Sequence, residues 1–135
     1  MMRAGGCLCG AVRYRVDGPL RPVVACHCGQ CRKATGNYVA ATSALRSDVE
    51  VDGEVSWFQS SASARRGFCG TCGSQLFWDG PGVNLSIMAG SLDQPTGLML
   101  AGHIYCAERG DWYALPEGER QVPGPDPDLT TQVRG

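Results

Sequence analysis

Apolar and polar residues alternate with a period of two along much of this chain. Over residues 10–16, Val12, Tyr14 and Val16 interleave with Arg13 and Arg15, the pattern of a half-buried strand. Gly18 and Pro19 end it. Residues 22–27 (PVVACH) and 38–42 (YVAAT) read as further strands, with one or two helical turns over 29–36 stopped by Gly36. Residues 48–59 read as a hairpin turning at Asp52-Gly53, a strong turn dipeptide. Strands at 74–79 and 84–89 flank the turn Gly80-Pro81-Gly82, and 102–107 reads as one more. No stretch beyond about ten residues carries a helical period, so helices are short. Many short strands joined by Gly-rich turns predict a mainly β, mainly antiparallel domain.

Composition changes that picture in three places. The length of 135 residues fits one domain, and 43% apolar with 19% charged residues is ordinary for a soluble globular chain. A net charge of −1 without a basic cluster gives no electrostatic case for nucleic acid. No apolar run approaches the ~20 residues that span a bilayer, and the first residues lack the apolar core of a signal peptide. A cytoplasmic location follows as the expectation. Residues 116–135 hold four of the eight prolines and little apolar material, so the domain is drawn at 1–115 with an extended or disordered Pro-rich tail behind it.

The chemistry lies in the eight cysteines. Seven fall in clusters: C-x-C at Cys7 and Cys9, C-x-C-x-x-C at Cys26, Cys28 and Cys31, and C-x-x-C at Cys69 and Cys72. Disulfides are rare where thiols stay reduced, and scaffolds built on them spread their cysteines to close long loops. No βαβ pattern surrounds either C-x-x-C, which counts against a thioredoxin-like redox motif. Cysteines two or three apart converge their sulfurs on one ion, so the spacing points to metal. Thiolate-rich sites suit zinc, with iron the competing occupant. C-x-C plus C-x-x-C makes a closed four-sulfur set, Cys7, Cys9, Cys69 and Cys72, of the structural zinc kind. Cys26, Cys28 and Cys31 then form a three-ligand set with an open fourth position, as at catalytic zinc.

Cys106, His27 or His103 could instead close that second set and make it structural. Cys106 reads by default as a small buried residue of a strand. In an extended segment the His27 side chain points away from those of its neighbours Cys26 and Cys28.

The motifs GGCLCGAVRY, CHCGQCRKATG, RRGFCGTCGSQLFW and HIY…WY occur in that order over about residues 5–115. In them the chain resembles the glutathione-dependent formaldehyde-activating enzyme family, also called the centromere protein V family. The resemblance implies a β-tent fold, two antiparallel sheets meeting around a structural zinc held by Cys7, Cys9, Cys69 and Cys72. It implies a second, catalytic zinc at Cys26, Cys28 and Cys31, hence two Zn²⁺ ions. The implied activity joins a thiol such as glutathione to formaldehyde or a small aldehyde, formally a carbon–sulfur lyase reaction. Cys106 departs from the apolar or small residue expected there. Three thiolates also blunt the Lewis acidity of a +2 ion, so a non-catalytic zinc-stabilised β-domain for binding or scaffolding stands as the alternative.

Glutathione carries two carboxylates, for which Arg32, Lys33, Arg65 and Arg66 are the cations nearest the metal motifs. The bland reading of each is a solvated surface charge. Trp57, Phe58, Phe77, Trp78, Trp112 and Tyr113 could wall a pocket, with core packing the competing role. Asp111 or Glu108 could shuttle a proton.

Overall fold

A computed structural model of the chain describes residues 2–131. Its ten strands are β1 (Met2–Gly6), β2 (Arg13–Asp17), β3 (Val23–Cys26), β4 (Val39–Leu45), β5 (Val49–Asp52), β6 (Val55–Gln59), β7 (Arg65–Cys69), β8 (Gln75–Asp79), β9 (Asn84–Met88) and β10 (Leu100–Ile104). Two short helices, α1 (Gly29–Thr35) and α2 (Pro127–Thr130), complete the regular structure with three 3₁₀ turns. The fold is mainly β and has two sheets. One is three-stranded in the order β1-β2-β5; the other is seven-stranded, β10-β3-β4-β9-β8-β7-β6. None of the helices among the described residues is long and apolar enough to cross a membrane.

The alternation in β2 does what its period requires. Tyr14 and Val16 face inward and are buried, while Arg13, Arg15 and Asp17 face solvent. Tyr14 meets Phe77 of β8 edge-on, ring centroids 5.3 Å apart, and its hydroxyl lies 2.7 Å from the Ser91 hydroxyl. Ala44, Leu76, Leu85 and Ile87 from the large sheet close the same core. Cys7 and Cys69 belong to it.

Three expectations need correction: the pairing of the 48–59 hairpin, the last strand and the placement of Cys106. The Asp52-Gly53 turn exists, with Gly53 at φ +101°, a value that favours glycine. Its flanking strands do not pair with each other, however: β5 pairs with β2, and β6 with β7. The dipeptide specifies a reversal of direction, but partner choice depends on which inner face each strand covers. Here the turn carries the chain from one sheet to the other.

The last strand comes earlier than read and runs parallel to β3, the exception to otherwise antiparallel pairing. After Ile104 the chain turns through Tyr105 at φ +55° into the 3₁₀ turn Cys106–Glu108. Cys106 is therefore buried in a helical turn rather than a strand.

β1 and β7 were not anticipated as strands. Met2–Gly6 has no alternation, and Gly5 is there because the backbone lies against Tyr14: a Cβ on it would fall 2.4 Å from the Tyr14 hydroxyl. Arg65–Cys69 hides its strand character behind two arginines and a glycine.

The segment behind residue 115 also has partners. Residues 120–124 run extended beside β10: His103 N–H donates to Arg120 O (2.8 Å), Val122 N–H to His103 O (3.1 Å) and Tyr105 N–H to Gly124 O (2.9 Å). These bonds satisfy an edge that would otherwise be bare. Asp126, itself buried, caps α2 and takes Arg120 Nε at 2.8 Å. Residues 132–135 of the expected tail lie outside the described residues.

Candidate metal centres

The sulfurs of Cys7, Cys9, Cys69 and Cys72 all lie within 4.8 Å of one another. Two tight loops at the ends of β1 and β7 bring them together, so residues more than sixty positions apart share one centre. Cys9 Sγ stands 3.6 Å from Cys7 Sγ and 3.7 Å from Cys69 Sγ. Backbone N–H groups point at the sulfurs: Val12 donates to Cys7 (3.2 Å) and Cys72 to Cys69 (3.5 Å). Such bonds favour the thiolate over the thiol.

Ser74 ties the two loops. Its hydroxyl oxygen accepts Leu8 N–H at 3.0 Å and lies 3.2 Å from Cys72 Sγ. That contact, with backbone bonds behind it, holds the Cys72 thiol down to about 5. Val12 N–H likewise holds Cys7 below the ordinary thiol range. Soft donors already packed together and already biased toward ionisation fit a divalent ion well.

The second group, Cys26, Cys28 and Cys31, also keeps its sulfurs within 4.8 Å. All three come from the end of β3 and the start of α1. Cys28 caps that helix, its sulfur accepting Cys31 N–H at 3.3 Å. Gly36 ends it in the left-handed region, φ +84°, as the sequence expected. Hydrogen bonding among the three sulfurs, foremost between Cys26 and Cys28, pushes the Cys26 thiol up and pulls Cys28 down. They share protons that a metal would displace. Among the described residues no fourth His, Cys, Asp or Glu joins them within that distance.

A scan against family models matches residues 2–108 to the glutathione-dependent formaldehyde-activating enzyme. The chain belongs to the glutathione-dependent formaldehyde-activating enzyme family. Among solved structures, a Rhodobacter sphaeroides protein determined by crystallography in a structural-genomics programme is similar at TM-score 0.57 and 26% identity. That match covers 70% of this chain and 91% of the other. Among curated proteins no significant match is found.

Within this family member, the side chains that were candidates for closing the second group have other partners. His27 is 1% exposed, its Nδ1 2.6 Å from the Tyr113 hydroxyl and its Nε2 2.9 Å from His103 Nδ1. His103 Nε2 lies 2.7 Å from Glu119 Oε1. Burial, with His103 and Arg109 beside it, keeps His27 below the ordinary imidazole range. Tyr113, His27, His103 and Glu119 thus form one hydrogen-bonded row, buried at the two histidines, half-buried at Tyr113 and exposed at Glu119. Cys106, buried in the turn 106–108, is held by its backbone N–H on Val122 O at 3.0 Å, and its sulfur is not among those within 4.8 Å of the second group.

The four candidate cations separate sharply. Arg65 lies over the Trp57 ring (3.9 Å) and bonds Asp79 at 2.9 Å. Lys33 is exposed and Arg32 half-buried on α1. Arg66 is only 6% exposed, and its Nη2 points at Cys31 Sγ, 3.6 Å away. A solvated surface charge is therefore the wrong reading for Arg66. The aromatic residues also divide: Phe77 is core, while Phe58 and Trp112 are exposed.

Two residues, one near each group, gave no signal in sequence. Tyr105 adopts left-handed backbone, an outlier for a bulky side chain. Burial, then the sulfurs of Cys26 and Cys28, pushes its phenol up. Ser74, which bridges the first group, looked like an ordinary strand-start serine. Glu108, weighed as a proton shuttle, accepts Gly29 N–H at 3.0 Å and pins the start of α1 instead; Asp111 is exposed.

Proposed function

We propose that this protein is a zinc-dependent, carbon–sulfur lyase-like enzyme acting on adducts of glutathione, or another small thiol, with formaldehyde or a small aldehyde. In the forward sense a thiol S–H adds across the aldehyde C=O. The carbon–sulfur bond forms, the carbonyl π bond breaks, the oxygen gains a proton and the sulfur loses one. Zinc, when held by Cys26, Cys28 and Cys31, supplies a seat for a sulfur as thiolate at neutral pH or polarises the aldehyde oxygen. The second zinc belongs at Cys7, Cys9, Cys69 and Cys72, where it ties β1 to β7. Cys28 and Cys31 hold their sulfurs through the α1 start, and the bonds of buried His27 to Tyr113 and His103 anchor the segment between Cys26 and Cys28.

The observation that carries this reading is a three-sulfur group with no fourth protein ligand among the described residues, in a chain of this family. Reduced cysteines suit the cytoplasm. Binding glutathione to cobalt-substituted protein tests the reading: a change in the visible cobalt absorption on titration is expected, and an unchanged spectrum rejects it.

The alternative, a zinc-stabilised β-domain without catalysis, rests on donor chemistry: three thiolates blunt the Lewis acidity of a divalent ion. If both ions leave only on denaturation, that alternative holds.

A further inference from the structure

Burying a guanidinium is costly unless an anion answers it. Arg66 is buried on β7 between Phe58 and Trp78, and no carboxylate pairs with it among the described residues. Its one side-chain hydrogen bond there goes to Cys31 Sγ. A neutral thiol is a weak acceptor and no counter-charge. Arg21, the other buried guanidinium without a carboxylate among the described residues, is answered by the carbonyls of Pro22 and Ala41, whereas Arg66 faces sulfur, and an anionic three-sulfur group would supply its counter-charge.

From this we infer that Arg66 is the charge-balancing residue of the second centre, the group that lets an external thiolate enter as fourth ligand. The inference rests on the thiol reading proposed above. Three thiolates around a divalent ion leave the centre at −1, and a fourth would bring it to −2. The fixed guanidinium raises both totals by one, to 0 before entry and −1 after, so an incoming anion would meet a neutral centre and not one already at −1. The thiol proton goes to solvent. Arg66 thus acts on the sulfur of the incoming molecule, whatever that molecule carries further out. Arg65, committed to Asp79 and Trp57, cannot take its place.

The test uses the full chain with cobalt in place of zinc, titrated at one pH with 2-mercaptoethanol, which has no carboxylate, and with glutathione. Arg66→Met should weaken the spectral response to both thiols about tenfold or more, the effect of removing one neighbouring charge, while metal content stays at the wild-type ratio. Arg66→Lys, which keeps the charge, should recover most of it. Equal binding by Arg66→Met and wild type overturns the assignment and leaves the thiol reading standing. Weakening for glutathione alone also overturns it, since Arg66 would then be holding a carboxylate. A wild-type protein unresponsive to either thiol rejects both readings. Should Arg66→Met fail to fold, competition in wild type decides. Azide, an anion, should displace 2-mercaptoethanol better than neutral imidazole, and the reverse order overturns the inference.

Discussion

The two cysteine groups use the same donor atom and nearly the same packing distance, yet they are built in opposite ways. The first draws four sulfurs from loops more than sixty residues apart, and two of its members, Cys7 and Cys69, lie in the hydrophobic core. The second takes three sulfurs from six consecutive positions at the edge of a short helix. An ion in the first closes a long loop and cross-links the sheets, so its binding free energy becomes folding free energy. An ion in the second closes almost nothing that β3 and α1 have not closed already. Sequence separation, and not ligand type, is what divides a centre that joins distant segments from one confined to six neighbouring positions.

The sharpest way to break that contrast is Cys69→Ser. With one of four ligands lost from a core-embedded centre, a loss of about 5 kcal/mol or more is expected, enough to abolish cooperative unfolding in a circular-dichroism melt. A folded, cooperatively melting Cys69→Ser protein would remove the distinction altogether. Cys28→Ser should act on the other side of it. Metal analysis should fall from two ions to one per chain, with the melting temperature changed by no more than about 5 °C.

Acid should separate the centres more gently. Hydrogen bonding with Cys28 raises Cys26, and Cys31 is raised too despite its bond to Cys26. In the first group, backbone and Ser74 bonds lower Cys7 and Cys72; at Cys9 the Ala11 N–H bond is outweighed by desolvation and crowding from Cys7, taking it to about 11. A raised thiol keeps its proton and the metal must displace it, so affinity falls as pH falls, and falls sooner in the second group. Released zinc followed during acidification should appear in two steps about one pH unit apart, the first from the second group.

The smallest effect is a control at Asp79, on β8 beside β7, the strand that carries Cys69 and Arg66 to the two centres. Asp79 sits between Arg46 and Arg65; despite desolvation, these bonds hold its carboxyl below the usual range. A depressed acid contributes stability above its unfolded pKa and loses it as pH falls through the folded value. Asp79→Asn should therefore cost about 1 kcal/mol at neutral pH, less in acid, and leave both ions in place.

Much of the frame was legible because it is local. The alternation of Val12, Tyr14 and Val16, the runs at 74–79 and 84–89, and the stop at Gly36 each depend on neighbours within a few positions. The cysteine spacing was legible for the same reason. Arg66 was not: nothing in RRGFC distinguishes the arginine that meets Asp79 from the one that meets Cys31. The pairing of β5 and β6 with different sheets was equally hidden, since a turn dipeptide carries no information about distant partners. Residues 120–124 looked unpartnered because the edge they cover, β10, is defined only by its parallel pairing with β3.

The chain by itself determined its family, its mainly β character and which cysteines stand close along the backbone, because those follow from short-range periodicity and spacing. Only the folded molecule decided how deeply each sulfur would be buried, that Arg66 and not Arg65 would meet Cys31, and that the two histidines would bond each other. Those outcomes depend on contacts between segments far apart in sequence, where charge and desolvation select partners that no local pattern encodes.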